Sequence, residues 1–85
     1  MTKTITPKTL EIRLAKEFQT RRLDAGLTTA ELADKIGLSP LMVTRIETGL
    51  LPLTAGTAFL IGEALDCNIN SLMRFAMSEA LDSAA

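Results

Sequence analysis

Between residues 26 and 49 the chain is punctuated so closely that only two short helices fit, and this spacing limits the fold more than any other feature. Thr28 opens the first of them, Glu31 three residues later completes a capping box, and Leu32, Ala33 and Ile36 form an inner face before Gly37 ends it. Ser39 caps the second, with Pro40 at its first helical position; Val43 and Ile46 point inward, and Gly49 terminates it. Only Gly37 and Leu38 lie between the two. A turn this tight requires a positive φ, which glycine adopts without steric cost, and a small residue where the helices approach, which Ala33 provides.

The other segments also read at helical period, and no run alternates apolar and polar residues as a strand does. An all-α fold is predicted, a compact five-helix bundle forming a single domain over residues 1–85. Thr6 and Pro7 start a first helix over about 7–25, with Leu10, Leu14 and Phe18 on one face and Gly26 as its stop. Thr54 caps a fourth helix whose inner positions are Ala58, Ile61 and Leu65, and Asp66 and Cys67 make the next turn. Asn68 or Asn70 caps a last helix over about 69–82, packing through Leu72, Phe75, Ala76 and Leu81, with Ser83, Ala84 and Ala85 fraying.

A hydrophobic content of 47% is too high for disorder, yet no stretch reaches the length of a membrane span; the richest, Leu50 to Leu65, is broken by Pro52, Gly56 and Glu63. The N-terminus lacks the apolar run of a signal peptide, and the single Cys67 cannot form an intramolecular disulfide, so the expected compartment is the cytoplasm. No contact with membrane is expected. A chain of 85 residues buries a modest share of its surface, which makes a second subunit a useful source of stability.

A net charge of -1 argues at first against nucleic acid, because phosphate contacts usually make such domains basic. The average hides an asymmetry. Residues 1–22 carry Lys3, Lys8, Arg13, Lys16, Arg21 and Arg22 against Glu11 and Glu17, whereas the rest carries three basic and eight acidic residues. The pattern fits either a basic arm (residues 1–6) and first helix facing DNA with an acidic back, or simply solvated helix charge.

Two short helices joined by a tight glycine turn are what a helix-turn-helix unit requires, and Thr28 to Gly49 is such a unit. With Gly26-Leu27-Thr28, Glu31-Leu32-Ala33, Ile36-Gly37-Leu38-Ser39 and Val43-Thr44-Arg45-Ile46-Glu47-Thr48-Gly49 in this order, the chain resembles the Cro and phage-repressor (Xre-like) family. Ala64-Leu65-Asp66-Cys67-Asn68-Ile69-Asn70-Ser71-Leu72 matches its fourth-to-fifth helix segment, and the resemblance spans about residues 14 to 73. It implies a lambda-repressor-like fold and a transcriptional regulator, by default a repressor, that occupies double-stranded operator DNA as a homodimer with helix three (about 40–48) in the major groove. A location at the nucleoid would follow from DNA binding.

The same resemblance implies an ion pair between Arg22 and Glu47, base-edge positions at Pro40, Leu41, Thr44 and Arg45, and a phosphate near Thr29. Helix N-termini bind anions through their free amides, so Thr28 and Ser39 mark two further phosphate sites. Lys8, Arg13, Lys16 and Lys35 are candidate phosphate contacts; Arg21 and Arg22 are expected nearer the inward face of helix one. The chain departs from the family pattern at Pro40, Leu41 and Met42, where relatives place Gln, Arg or Ser, and at Thr29, where they place Gln. Leu and Met can only touch thymine methyls or exclude other bases, which shifts hydrogen-bonded readout to Arg45 and Thr44.

Two apolar clusters are candidates for a dimer interface: Leu50, Leu51 and Leu53 in the loop after helix three, and Leu72, Met73, Phe75, Met77 and Leu81 on the last helix. For the loop, the alternative is internal cover by the N-terminal extension. With no His, no Cys cluster and no Gly-rich phosphate loop, the residues offer no catalytic constellation, and neither a cofactor nor a metal is expected. The rival reading is a protein-binding module, an antitoxin or antirepressor, whose partner is a toxin or a protein co-regulator; the apolar run Pro40-Leu41-Met42 and the overall acidity keep it open.

Overall fold

Each helix of the computed structural model, which describes residues 5–83, begins at a side chain that accepts a hydrogen bond from the first turn. Thr6 accepts from the Thr9 amide, Thr28 from Glu31, Ser39 from Met42, Thr54 from Thr57 and Asn68 from Ser71, all at 3.1 to 3.2 Å. Those caps satisfy amides that a helix cannot satisfy internally. They start α1 (Pro7–Asp24), α2 (Thr29–Ile36), α3 (Pro40–Glu47), α4 (Ala55–Ala64) and α5 (Ile69–Ser83). The described residues contain no strand. Residues 1–4 of the expected basic arm, with Lys3, and Ala84 and Ala85 of the expected frayed end, lie outside the described residues.

At 8 residues each, α2 and α3 are too short to be stable alone and depend on the faces they bury. Leu32 and Ala33 of α2 meet Val43 and Ile46 of α3 in one core with Leu14 and Phe18 of α1, Ala58 and Ile61 of α4, and Leu72 and Ala76 of α5. Phe18, Leu32, Val43 and Ile61 are the largest fully buried side chains, so every helix except α5 supplies one central anchor. The helices α2 and α3 pack on each other, α2 also on α4, and α1 on both α3 and α5.

On α5 the observed inner stripe is Leu72, Ala76 and Ala80, which corrects the expectation that Phe75 and Leu81 pack inward; both are largely exposed. The cause is the close α1–α5 contact. Ala15 of α1 and Ala76 and Ala80 of α5 are all buried, and small side chains let two helix backbones approach where a Phe would hold them apart. Helix α1 ends at Asp24 with Ala25 as its C-cap, and α4 ends at Ala64 with Leu65 as its C-cap, followed by a left-handed residue, Asp66 (φ 54), a conformation that Asp tolerates better than most side chains. No helix among the described residues is long and apolar enough to cross a membrane.

Candidate nucleic-acid interface

Gly37 turns the chain between α2 and α3 at φ 75, and the Leu38 amide donates to the Ala33 carbonyl at 3.0 Å, closing the end of α2. Ser39 then resumes an extended backbone and caps α3. With Val43 and Ile46 buried below, the opposite side of α3 presents Pro40, Leu41, Met42, Thr44, Arg45 and Thr48, all exposed. Leu41 and Arg45 are four residues apart and share one face. Leu41 is 56% exposed and Met42 39%. The Thr44 hydroxyl donates to the Pro40 carbonyl at 3.1 Å. Among the described residues, no carboxylate lies within ion-pair distance of Arg45.

The far end of α3 is clamped. Arg22 donates from Nε to Glu47 Oε2 at 2.7 Å and from Nη2 to Oε1 at 3.1 Å, a two-point contact with both side chains under a tenth exposed. A third bond runs from Arg22 Nη1 to the Leu27 carbonyl at 2.7 Å. One guanidinium therefore ties the end of α1, the loop before α2 and the end of α3 into a fixed relation. Glu47 stands where the helix dipole disfavours negative charge, so the Arg22 cation is what keeps it there. No buried side-chain nitrogen or oxygen among the described residues lacks a partner.

At the start of α2 the capping box is complete: the Thr28 hydroxyl accepts from the Glu31 amide at 3.1 Å, and the Thr28 amide donates to Glu31 Oε1 at 3.0 Å. The bond from the Thr28 amide, reinforced by the Thr28 side chain, holds the Glu31 carboxyl below the ordinary glutamate range. The Thr29 and Ala30 amides follow in that first turn, with Thr29 half-buried. In α3 the anion-binding capacity is smaller, because Pro40 has no N–H and the Met42 amide is taken by Ser39, which leaves the Leu41 amide.

The basic candidates are dispersed. Lys35 is exposed on α2, but the groove in front of the α2–α3 turn is lined by Ala30, Glu31, Ala33, Asp34, Leu38 and Pro40, with no basic side chain. Lys8 pairs with Glu11 at 3.3 Å. Arg13 and Lys16 line a groove between α1 and α5 together with Phe75, Ala76 and Glu79. Arg22 is buried as expected from its place on α1, whereas Arg21 is exposed and paired with Glu17 at 3.0 Å, which corrects its inward placement.

Of the apolar interface candidates, Leu72 is only 3% exposed and belongs to the core, so it is not available to a partner. Leu51 and Leu53 are half-buried against the same core. Leu53 also lines an apolar groove of about 430 Å³ with Pro7, Leu10, Phe59, Ile69 and Met73. Leu50 remains outside at 75% exposure, and Met73, Phe75, Met77 and Leu81 are exposed on α5. Sequence reasoning missed Phe59 and Leu60, both about half exposed on α4. The signal was present: α4 carries a single charged residue, Glu63, and a helix so apolar all round cannot bury every side in so small a bundle.

A short bracing helix, a left-handed glycine turn and a second short helix held at both ends, with one face buried and the other exposed, define a helix-turn-helix protein. A family model described as helix-turn-helix matches residues 18–72, and the chain belongs to that family, the DNA-binding regulators of the Cro and phage-repressor kind. No curated protein and no solved structure matches the chain significantly.

Proposed function

We propose that this chain is a transcriptional repressor that binds a two-fold symmetric operator as a homodimer, with α3 of each subunit in the major groove. The observation that carries the reading is Arg45, exposed on a helix whose orientation the buried Arg22–Glu47 clamp fixes. An unpaired guanidinium on such a face suits bidentate contact with guanine. Pro40, Leu41 and Thr44 complete the base-reading face; Thr28, Thr29 and Ser39 position the amides for phosphates, more at α2 than at α3; and Lys35, exposed in the last turn of α2, is a further phosphate candidate. Lys8, Arg13 and Lys16 are weaker phosphate candidates, given their carboxylate or α5 surroundings.

The dimer surface is Met73, Met77 and Leu81, spaced four residues apart on α5, with Phe75 and Leu50 as flanking contributors. Two subunits joined there carry two α3 helices, as half-sites one turn of DNA apart require. Selection of random-sequence duplexes, followed by sequencing at a stated salt concentration, tests the reading, with light scattering for the mass. Enrichment of a symmetric site and a mass of two chains at micromolar concentration are expected. A monomer would remove the dimer. No enrichment would favour the second reading, a protein-binding module using exposed Leu41 and Met42.

A further inference from the structure

We infer that the recognition face selects its operator through thymine methyl groups, with Leu41 as the methyl-reading residue and Met42 beside it; the inference rests on the DNA-binding reading above. Leu41 shares its face with Arg45 and stands at the end of α3 that enters a major groove first. There its apolar surface can be matched only by the thymine C5-methyl, which is the apolar group that base pairs present in that groove. Set over a G·C pair, the same side chain would cover hydrogen-bonding edges and leave them unpaired.

Thr44 narrows the choice further. Its hydroxyl proton is engaged with the Pro40 carbonyl at 3.1 Å, so the oxygen turned outward is an acceptor. An acceptor meets the amino group of adenine or cytosine and is repelled by the edges of guanine and thymine. Methyl and adenine amino group lie side by side on an A·T pair, so Leu41 and Thr44 favour the same base pair, next to a guanine read by Arg45. A protein partner fits this patch less well. Leu41 and Met42 are flanked by Thr44, Arg45 and Thr48, while the extended apolar surface lies elsewhere, around Phe59, Leu60 and Met73.

The test uses the full chain and a duplex enriched by selection, compared with the same duplex in which 2′-deoxyuridine replaces thymidine, one position at a time. Uracil keeps the pairing and the O4 acceptor and lacks only the methyl. Anisotropy titration is expected to show about fourfold weaker binding when the methyl is lost from one half-site and roughly fifteenfold when it is lost from both, as the transfer of one buried carbon per methyl predicts. Leu41→Ala should bind both duplexes equally, with unchanged melting because the side chain is exposed. Equal binding of the two duplexes by the wild type would overturn the inference and leave DNA binding standing. Equal methyl sensitivity in Leu41→Ala would overturn it too, since the effect would then come from DNA shape or another residue. Absence of any enriched duplex would instead sink the DNA-binding reading itself.

Discussion

The two sides of this small bundle share one apolar core and capped helices, and differ in the side-chain hydrogen bonds that tie separate elements together. The α2–α3 unit has directional fastenings: three hydrogen bonds from Arg22 that tie the far end of α3 and the loop before α2 to α1, a reciprocal capping box at Thr28 and Glu31, and the Ser39 cap. On the α4–α5 side the helices join the core through Ala58, Ile61, Ile69, Leu72 and Ala76, while Phe59 and Leu60 on α4 and Met73 and Met77 on α5 stay exposed, Phe59 and Met73 in one groove. Burial of apolar area has no preferred direction, so it can join elements without fixing their angle. A helix that must present side chains to a groove in one orientation needs the first kind of fastening. A surface that meets a partner is served by the second.

The sharpest way to break that contrast is Glu47→Ala. It leaves the Arg22 guanidinium buried with one of its three hydrogen bonds, and removal of one member of a buried pair costs about 3 to 5 kcal/mol. Urea denaturation should show that loss, a large part of a small domain's stability; an unchanged midpoint would mean that the clamp does not hold α3. Thr28→Ala removes one cap from the same side and should cost about 1 kcal/mol in the same assay.

Acid probes the other half of the capping box. Because the folded Glu31 carboxyl titrates below its unfolded value, its contribution is present above the ordinary glutamate range and fades as pH falls through the lower folded value. Melting of wild type and Glu31→Gln followed from neutral to acid pH should converge in that window. Curves that stay parallel would contradict the assignment. On the opposite side, Leu60→Ser should change chain stability by less than about 0.5 kcal/mol, since the residue is half exposed and touches no directional contact.

Caps and glycines were readable because they act locally: Thr6, Thr28, Ser39 and Thr54 each precede their helix, and Gly37 sits where only a left-handed residue fits. The Arg22–Glu47 pair spans 25 positions and was reachable through the family resemblance, not through periodicity. On α5 the apolar spacing gives Leu72 and Ala76 as inner positions, which the structure buries, but size adds Phe75 and Leu81, whereas the close approach to Ala15 takes Ala80 instead. Leu72, expected both to pack and to line an interface, serves the core alone at 3% exposure. Where Arg13 and Lys16 point depends on how α1 lies against α5, and that angle is a property of the packed core rather than of any one segment.

The most direct measurement compares wild type and Arg45→Ala on an enriched duplex and on a scrambled one at the same salt concentration. Loss of about 1 to 3 kcal/mol of discrimination at one base pair, with melting unchanged, is expected if α3 reads DNA through this side chain. Equal discrimination in both proteins would contradict that reading and direct attention to another surface.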